Sequence, residues 1–204
     1  MPASSVAIAS SSSLALRRVI AVALGAAFVA AAAQVAVPLP GTPVPMTLQP
    51  LAVLLVGGLL GPALGASSLL LYLALGAAGL PVFTPLGVSG ALRLIGPTGG
   101  YLLSYPIAAY AVGKLAVGFS DPGRQPGVLG AGDWARVSLA AFAGLLLIHL
   151  GGLAQLVLLT HSTARAAQLG TLPFLLGDLG KLVIAVLALA PTIRPVRARL
   201  YRRA

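Results

Sequence analysis

Apolar residues run along this chain in long blocks separated by clusters of proline, glycine and charge. About 20 consecutive apolar residues are what a helix needs to cross a bilayer, and several blocks approach that length. The first follows Arg17 and Arg18 and covers residues 19 to about 37. The segment VPLPGTPVPMTLQP (37–50) then forbids a regular helix, because proline lacks an amide hydrogen and restricts the residue before it; an extended, compact loop is expected. The second block, residues 51–60, is short, bounded by Pro50 and broken at Gly61-Pro62, so its start falls at Leu51 or within the preceding loop. A third runs from about residue 63 to 80 and stops at Gly79-Leu80-Pro81. A loop, 82–96, carries Arg93, and Pro97-Thr98-Gly99-Gly100-Tyr101 leads into a fourth block reaching Lys114 and Phe119. Residues 120–136 are polar and rich in Gly and Pro. A fifth block covers roughly 137–159, a short polar loop holds His161 and Arg165, and a sixth runs from about 172 to 190.

The pattern predicts an all-α integral membrane protein with six transmembrane helices in one domain, residues 17–194. Residues 1–16, rich in Ser and Ala without apolar periodicity, are expected to form a mobile tail, and residues 195–204 a basic one. The first block has a rival reading as a cleaved signal peptide, with Arg17 and Arg18 as its basic region and Ala30 to Ala33 as the small-residue cleavage site. Against that, the run is long for a signal core and the rest of the chain is itself membrane-embedded.

Composition narrows the class further. With 58% apolar residues, 8% charged residues and a mean hydropathy of +1.01, 204 residues cannot be wrapped in a polar surface. The net charge of +10 does not indicate nucleic acid, since the basic residues cluster at block ends and aromatics are sparse. Six spans put both termini on one side, and basic residues favour the cytoplasmic side. With the termini inside, Arg17, Arg18, Lys114, Arg124, Arg136, Arg194, Arg197, Arg199, Arg202 and Arg203 are all inner, and only Arg93 and Arg165 fall outside. The absence of cysteine excludes disulfides and thiolate metal sites.

The remaining cation, Lys181, lies inside the sixth block, three residues after Asp178 and so on the same helix face. Charges at membrane depth cost at least a few kcal/mol each, and this chain has only three acidic residues. The pair is read either as a structural ion pair stitching helices together or as a ligand site. The second is favoured because a buried pair stabilises little after desolvation. Asp178 would accept N–H bonds while Lys181 would donate to a carbonyl or carboxylate. Arg93 is open between a solvated loop arginine and a ligand contact. His149, Gln155 and Gln34 are expected to pair across helices, since a lone histidine lacks co-ligands.

The strings VPMTLQPLAVLLVGGLLGP (44–62), YLALGAAGLPVF (72–83), GPTGGYLLSYPIAA (96–109) and PFLLGDLGKL (173–182) together resemble the biotin-specific S component of energy-coupling factor transporters, the BioY family. The resemblance implies a six-helix, multi-pass protein of the cell membrane that captures biotin from outside. It puts Asp178 and Lys181 in the ligand pocket, capped by segments around Thr47 to Gln49 and residues 82–101, with Arg93 meeting the valerate carboxylate. Tyr101, and with it Tyr72, would pack against the biotin rings. Gly99 and Gly100 allow close backbone approach or serve as a plain helix-start turn.

No G-x-x-x-x-G-K-[ST] loop is present, so ATP hydrolysis must come from elsewhere. By resemblance the partners are a transmembrane coupling protein and ABC-type ATPases. Ala23, Ala27 and Ala31, or Ala26 and Ala30, offer small-residue stripes for docking, although such stripes also serve ordinary intramolecular packing. No cofactor is expected. An ion-coupled secondary transporter of a small carboxylated solute is the alternative, weakened by the absence of an obvious repeat of broken segments. An enzyme is the weakest option, for want of a nucleophile or metal set.

Overall fold

In a bilayer each backbone N–H and C=O must be paired within its own segment, so apolar blocks such as these fold as helices. The computed structural model describes residues 3–116 and 129–201. Its elements are α1 (Ala3–Gln34), β1 (Ala36–Val37), β2 (Met46–Thr47), α2 (Gln49–Leu60), α3 (Pro62–Ala77), α4 (Leu92–Ile95), α5 (Gly99–Leu115), α6 (Ala131–Thr160), α7 (Thr163–Gly170), a 3-10 turn (Leu172–Phe174) and α8 (Leu175–Tyr201). Arg124, Arg202, Arg203 and the end of the fourth block lie outside the described residues.

Among the described residues, three helical stretches are long and apolar enough to cross a membrane: Leu14–Gln34, Ala131–Thr160 and Thr163–Tyr201. The other long helices are shorter than the expected spans. The 12 residues of α2 reach only about 18 Å, and the 17 of α5 about 26 Å, against a hydrocarbon core of about 30 Å. Gly and Pro set these lengths: Gly61 (φ 85°) separates α2 from α3, and Gly79 (φ 95°) follows the end of α3.

Three boundaries depart from the sequence reading. α1 begins at Ala3, so the stretch expected as a mobile tail is helical from that residue, as its alanines allow. The Pro-rich segment is pinned at its ends by an antiparallel pair, Ala36 opposite Thr47 and Val37 opposite Met46. And α8 continues through Pro191 and Pro195 to Tyr201, so most of the expected basic tail is helix. Both prolines are exposed and lie four residues apart on α8.

α1 is built into the core through Ala26, Val29 and Ala33, the opposite of a detachable leader. Small residues bring the helices together: a Cβ on Gly57 would overlap the backbone of Ala109, and one on Gly100 the carbonyl of Gly151. Large apolar side chains such as Leu158, Leu176 and Leu187 face outward, as on a lipid-exposed surface.

At the far end of α8, Arg197 donates to the carbonyls of Gly58 (2.6 Å) and Gly113 (2.9 Å), and Tyr201 to that of Leu60 (2.8 Å). The last carbonyls of α2 and α5, which have no partner within their own helices, are thus capped by a distant cation. Arg194 pairs with Asp133 at the start of α6. Asp178 and Arg197 are 19 residues apart on one helix, about 28 Å along its axis, so the Asp-Lys pair and the basic cluster occupy opposite ends of the bundle.

Candidate functional site

The turn Thr171 to Phe174 aims α8 so that Asp178 falls in its first helical turn, where unpaired backbone N–H groups favour a carboxylate. Lys181 follows one turn later on the same face, its Nζ 2.8 Å from Oδ1 of Asp178. The other oxygen, Oδ2, lies 2.7 Å from Nε2 of His149 on α6. His149 is therefore the interhelical hydrogen bonder the sequence suggested, and its partner is the acid of the pair itself. One carboxylate is held between two helices by a bond to each of its oxygens.

These three side chains line one hollow at this end of the bundle. Thr47, Gln49 and the flanking prolines Pro45 and Pro50 enter it from the hairpin and the start of α2; Thr84 and Arg93 from the α3–α5 connection; Thr98, Tyr101 and Tyr105 from α5; Ile148 from α6; and Phe174 from the turn before α8. All six residues singled out as ligand-binding, Asp178, Lys181, Arg93, Tyr101, Gln49 and Thr47, therefore share one hollow. Its walls are mostly apolar with a few converging polar groups, the makeup of small-molecule sites.

The polar residues differ in how much bonding capacity they have left. Gln49 Nε2 donates to the Tyr72 hydroxyl at 2.6 Å, and the Thr47 hydroxyl donates to Gln49 Oε1 at 3.2 Å. Tyr72 is fully buried behind Gln49, edge-on to Phe83, and lies off the cavity wall, so it is not the ring-packing residue it was expected to be. Tyr101 presents its ring to the cavity while its hydroxyl donates to the Gly170 carbonyl.

Arg93 is 3% exposed, far from a solvated loop arginine. Its Nε donates to Val88 O at 2.7 Å and its Nη2 to Leu86 O, so it gathers the loop around itself. Gln155 braces the same segment across from α6, through Leu94 O of α4 (3.1 Å) and Gly96 O at its end (2.7 Å). Gln34 similarly reaches Phe83 O. No carboxylate pairs with Arg93 among the described residues. Burial pushes its guanidinium down from its ordinary value, yet arginine keeps its charge. With Asp178 offset by Lys181, the cavity carries one uncompensated cation.

Two buried polar atoms in the cavity wall have no partner among the described residues, Thr84 Oγ1 and His149 Nδ1. Thr171 Oγ1, away from the cavity, is likewise without a partner among the described residues. Thr84 and Thr98 belong to the capping segment 82–101 without having been singled out, while Tyr105 and Phe174 escaped the sequence reading, since nothing in their local spacing separates them from ordinary core residues. No group of three or more side chains suited to a metal ion occurs among the described residues.

Gly99 and Gly100 are spent on packing between elements. A Cβ on Gly99 would overlap the carbonyl of Leu94, and one on Gly100 that of Gly151 on α6.

The model of the BioY family matches residues 5–199. The chain belongs to the BioY family. It is 38% identical over 166 residues to the probable biotin transporter BioY of Pyrococcus horikoshii, covering 81% of this chain and 90% of that protein. It is 34% identical over 172 residues to the biotin transporter BioY of Thermotoga maritima, covering 84% and 93%. In fold it matches the crystal structure of the S-component for biotin from an ECF-type ABC transporter, with a TM-score of 0.71, 24% identity, and coverage of 86% of this chain and 89% of that one. The α-helical membrane fold of this BioY-family chain is thus one that a solved S-component shares.

The two alanine stripes of α1 differ in burial. Ala26 is 2% exposed in the core and Ala30 is partly buried, so that stripe, expected as a docking surface, packs within the fold. Gly25, beside it, admits Ser68 of α3 so closely that a Cβ would overlap it. Ala23, Ala27 and Ala31 lie exposed on another face.

Proposed function

We propose that this protein is the biotin-capturing membrane subunit of a vitamin uptake transporter. The observation that carries the reading is the cavity itself, in which a buried, unpaired Arg93 and a hydrogen-bonded Asp178–Lys181 pair converge within mostly apolar walls. Biotin matches these groups in kind: a carboxylate for the free cation, a ureido group for the Asp-Lys pair, and an apolar ring system for the wall. In this reading Arg93 receives the valerate carboxylate. Asp178 accepts a ureido N–H, Lys181 donates to the ureido oxygen, and the Tyr101 ring packs against the bicycle. Thr47 and Gln49, already bonded to one another, shape the rim.

Six spans are counted as α1, α2, α3, α5, α6 and α8, with the shorter helices completed by the connections that enclose the cavity. Both termini are cytoplasmic, which puts the cluster of Arg194, Arg197 and Arg199 inside and the cavity at the outer face of the cell membrane. Support for that arrangement comes from the roughly 28 Å between the two charged ends of α8, close to the thickness of a hydrocarbon core.

Accumulation against a gradient needs ATP hydrolysis, for which this chain has no phosphate loop. A transmembrane coupling protein and ABC-type ATPase subunits supply it, docking on the exposed Ala23, Ala27 and Ala31 face of α1.

Equilibrium binding of radiolabelled biotin to the purified chain without nucleotide tests the reading. Saturable binding of one biotin per chain is expected. No binding, or binding only under an imposed ion gradient, would overturn it in favour of an ion-coupled carrier.

A further inference from the structure

The way Asp178 is held constrains how a ureido ligand can be recognised. Lys181 occupies Oδ1 and His149 occupies Oδ2, at 2.8 and 2.7 Å. For His149 to bond an ionised carboxylate that already balances a lysine, Nε2 must carry the hydrogen and donate it. A neutral imidazole with a protonated Nε2 has a bare lone pair on Nδ1, an acceptor. That Nδ1 is buried and has no partner among the described residues, while the ring lines the cavity edge-on to Tyr101, with centroids 6.2 Å apart and planes at 79°. Buried acceptors are normally bonded, and a donor carried into the cavity beside this ring would supply the partner.

We infer that His149 is a ligand-binding residue whose Nδ1 accepts one of the two ureido N–H groups, the other going to Asp178. The inference rests on the biotin reading above. It assigns the two ureido donors to two acceptors of different kinds, joined to each other through the Nε2–Oδ2 bond. Asp178 and His149 then work as one unit: the carboxylate fixes the tautomer and the ring's orientation, and the ring presents the second acceptor. The arrangement selects for a cyclic urea, since a ligand with a single N–H leaves one buried acceptor unpaired.

The test uses the full chain in detergent, biotin, and the two cyclic carbamates in which one or the other ureido N–H is replaced by a ring oxygen. Both carbamates should bind the wild-type protein about tenfold more weakly than biotin, the effect of one lost buried hydrogen bond. His149→Gln keeps a donor for Asp178 but has no atom at the Nδ1 position. For one carbamate its penalty relative to biotin should fall to near unity, while the penalty for the other is retained. Unchanged penalties for both carbamates in this variant, or wild-type affinity for biotin, would reduce His149 to a support for Asp178 and overturn the inference. In the wild-type chain, labelled with 15N-histidine, the Nδ1 resonance of His149 should move on adding biotin in the direction of an accepted hydrogen bond, with exposed His161 as the internal reference. A shift to a protonated Nδ1, or none, overturns the inference even where the variant does not fold. Wild-type protein that binds neither biotin nor the carbamates sinks the transport reading itself.

Discussion

Oδ2 of Asp178 and Nε2 of His149 meet at 2.7 Å across the α6–α8 crossing, so the acid of the Asp-Lys pair belongs to two helices. With Lys181 on its other oxygen, its removal leaves both a buried ammonium and an imidazole without their acceptor. Asp178→Asn should lower stability by about 3–5 kcal/mol, the range for breaking a buried ion pair, and weaken biotin binding. The double substitution Asp178→Asn, Lys181→Met removes both charges and should recover much of that stability without recovering binding. Thermal melting and biotin titration of the three proteins check this; a double variant that binds normally would take the pair out of the site.

Arg93 combines two tasks, holding Leu86 and Val88 carbonyls and offering the cavity a free positive charge. Wild-type protein should prefer biotin to neutral biotinamide by at least about tenfold, as befits a charged hydrogen bond of about 1.5–3 kcal/mol. In Arg93→Gln that preference should disappear. Arg93→Lys should restore little, because an ammonium cannot reproduce the guanidinium fork across two carbonyls and a ligand. A preserved preference in the glutamine variant would remove Arg93 from carboxylate recognition.

Gly100 and Gly180 form a matched pair of tests. A Cβ at Gly100 overlaps the Gly151 carbonyl, so Gly100→Ala should push α5 and α6 apart and lower stability by about 1–3 kcal/mol. A Cβ at Gly180 meets nothing within 4 Å, so Gly180→Ala should be neutral or stabilising by up to about 1 kcal/mol. Melting temperatures in the same detergent decide it, equal values refuting the packing argument.

Arg197 caps the ends of α2 and α5 about 28 Å from the cavity along α8. Arg197→Ala leaves those carbonyls unbonded and should lower stability by about 1–3 kcal/mol while biotin affinity is unchanged. A large loss of affinity in a well-folded variant would indicate coupling between the two ends.

The exposed alanines of α1 can be tested apart from binding. Ala23→Leu with Ala27→Leu adds bulk to an exposed face of α1, so biotin binding and melting should stay as in the wild type. ATP-driven uptake and copurification with coupling protein should fall together. Unaltered uptake would move the docking face elsewhere.

Residue order alone decided the class of this protein, because bilayer solvation is a property of composition and block length, and both are written locally. The helical, membrane-embedded character, the oddity of Asp178 and Lys181 in an oily block, and the family words around them were all open to reading along the chain. Helix ends were less so: the sixth apolar block stops near residue 190, yet α8 continues through Pro191 and Pro195 to Tyr201. The two alanine stripes of α1 are equivalent as spacing, and only packing against α3 distinguishes the buried Ala26 from the exposed Ala23 and Ala27. His149 was legible as a polar residue in need of a partner, but not that the partner would be Asp178, nor that Tyr105 and Phe174 would line the same cavity. Such pairings depend on how separate helices cross, and the crossing is fixed by where glycines let backbones touch, a relation between distant segments that no local pattern encodes.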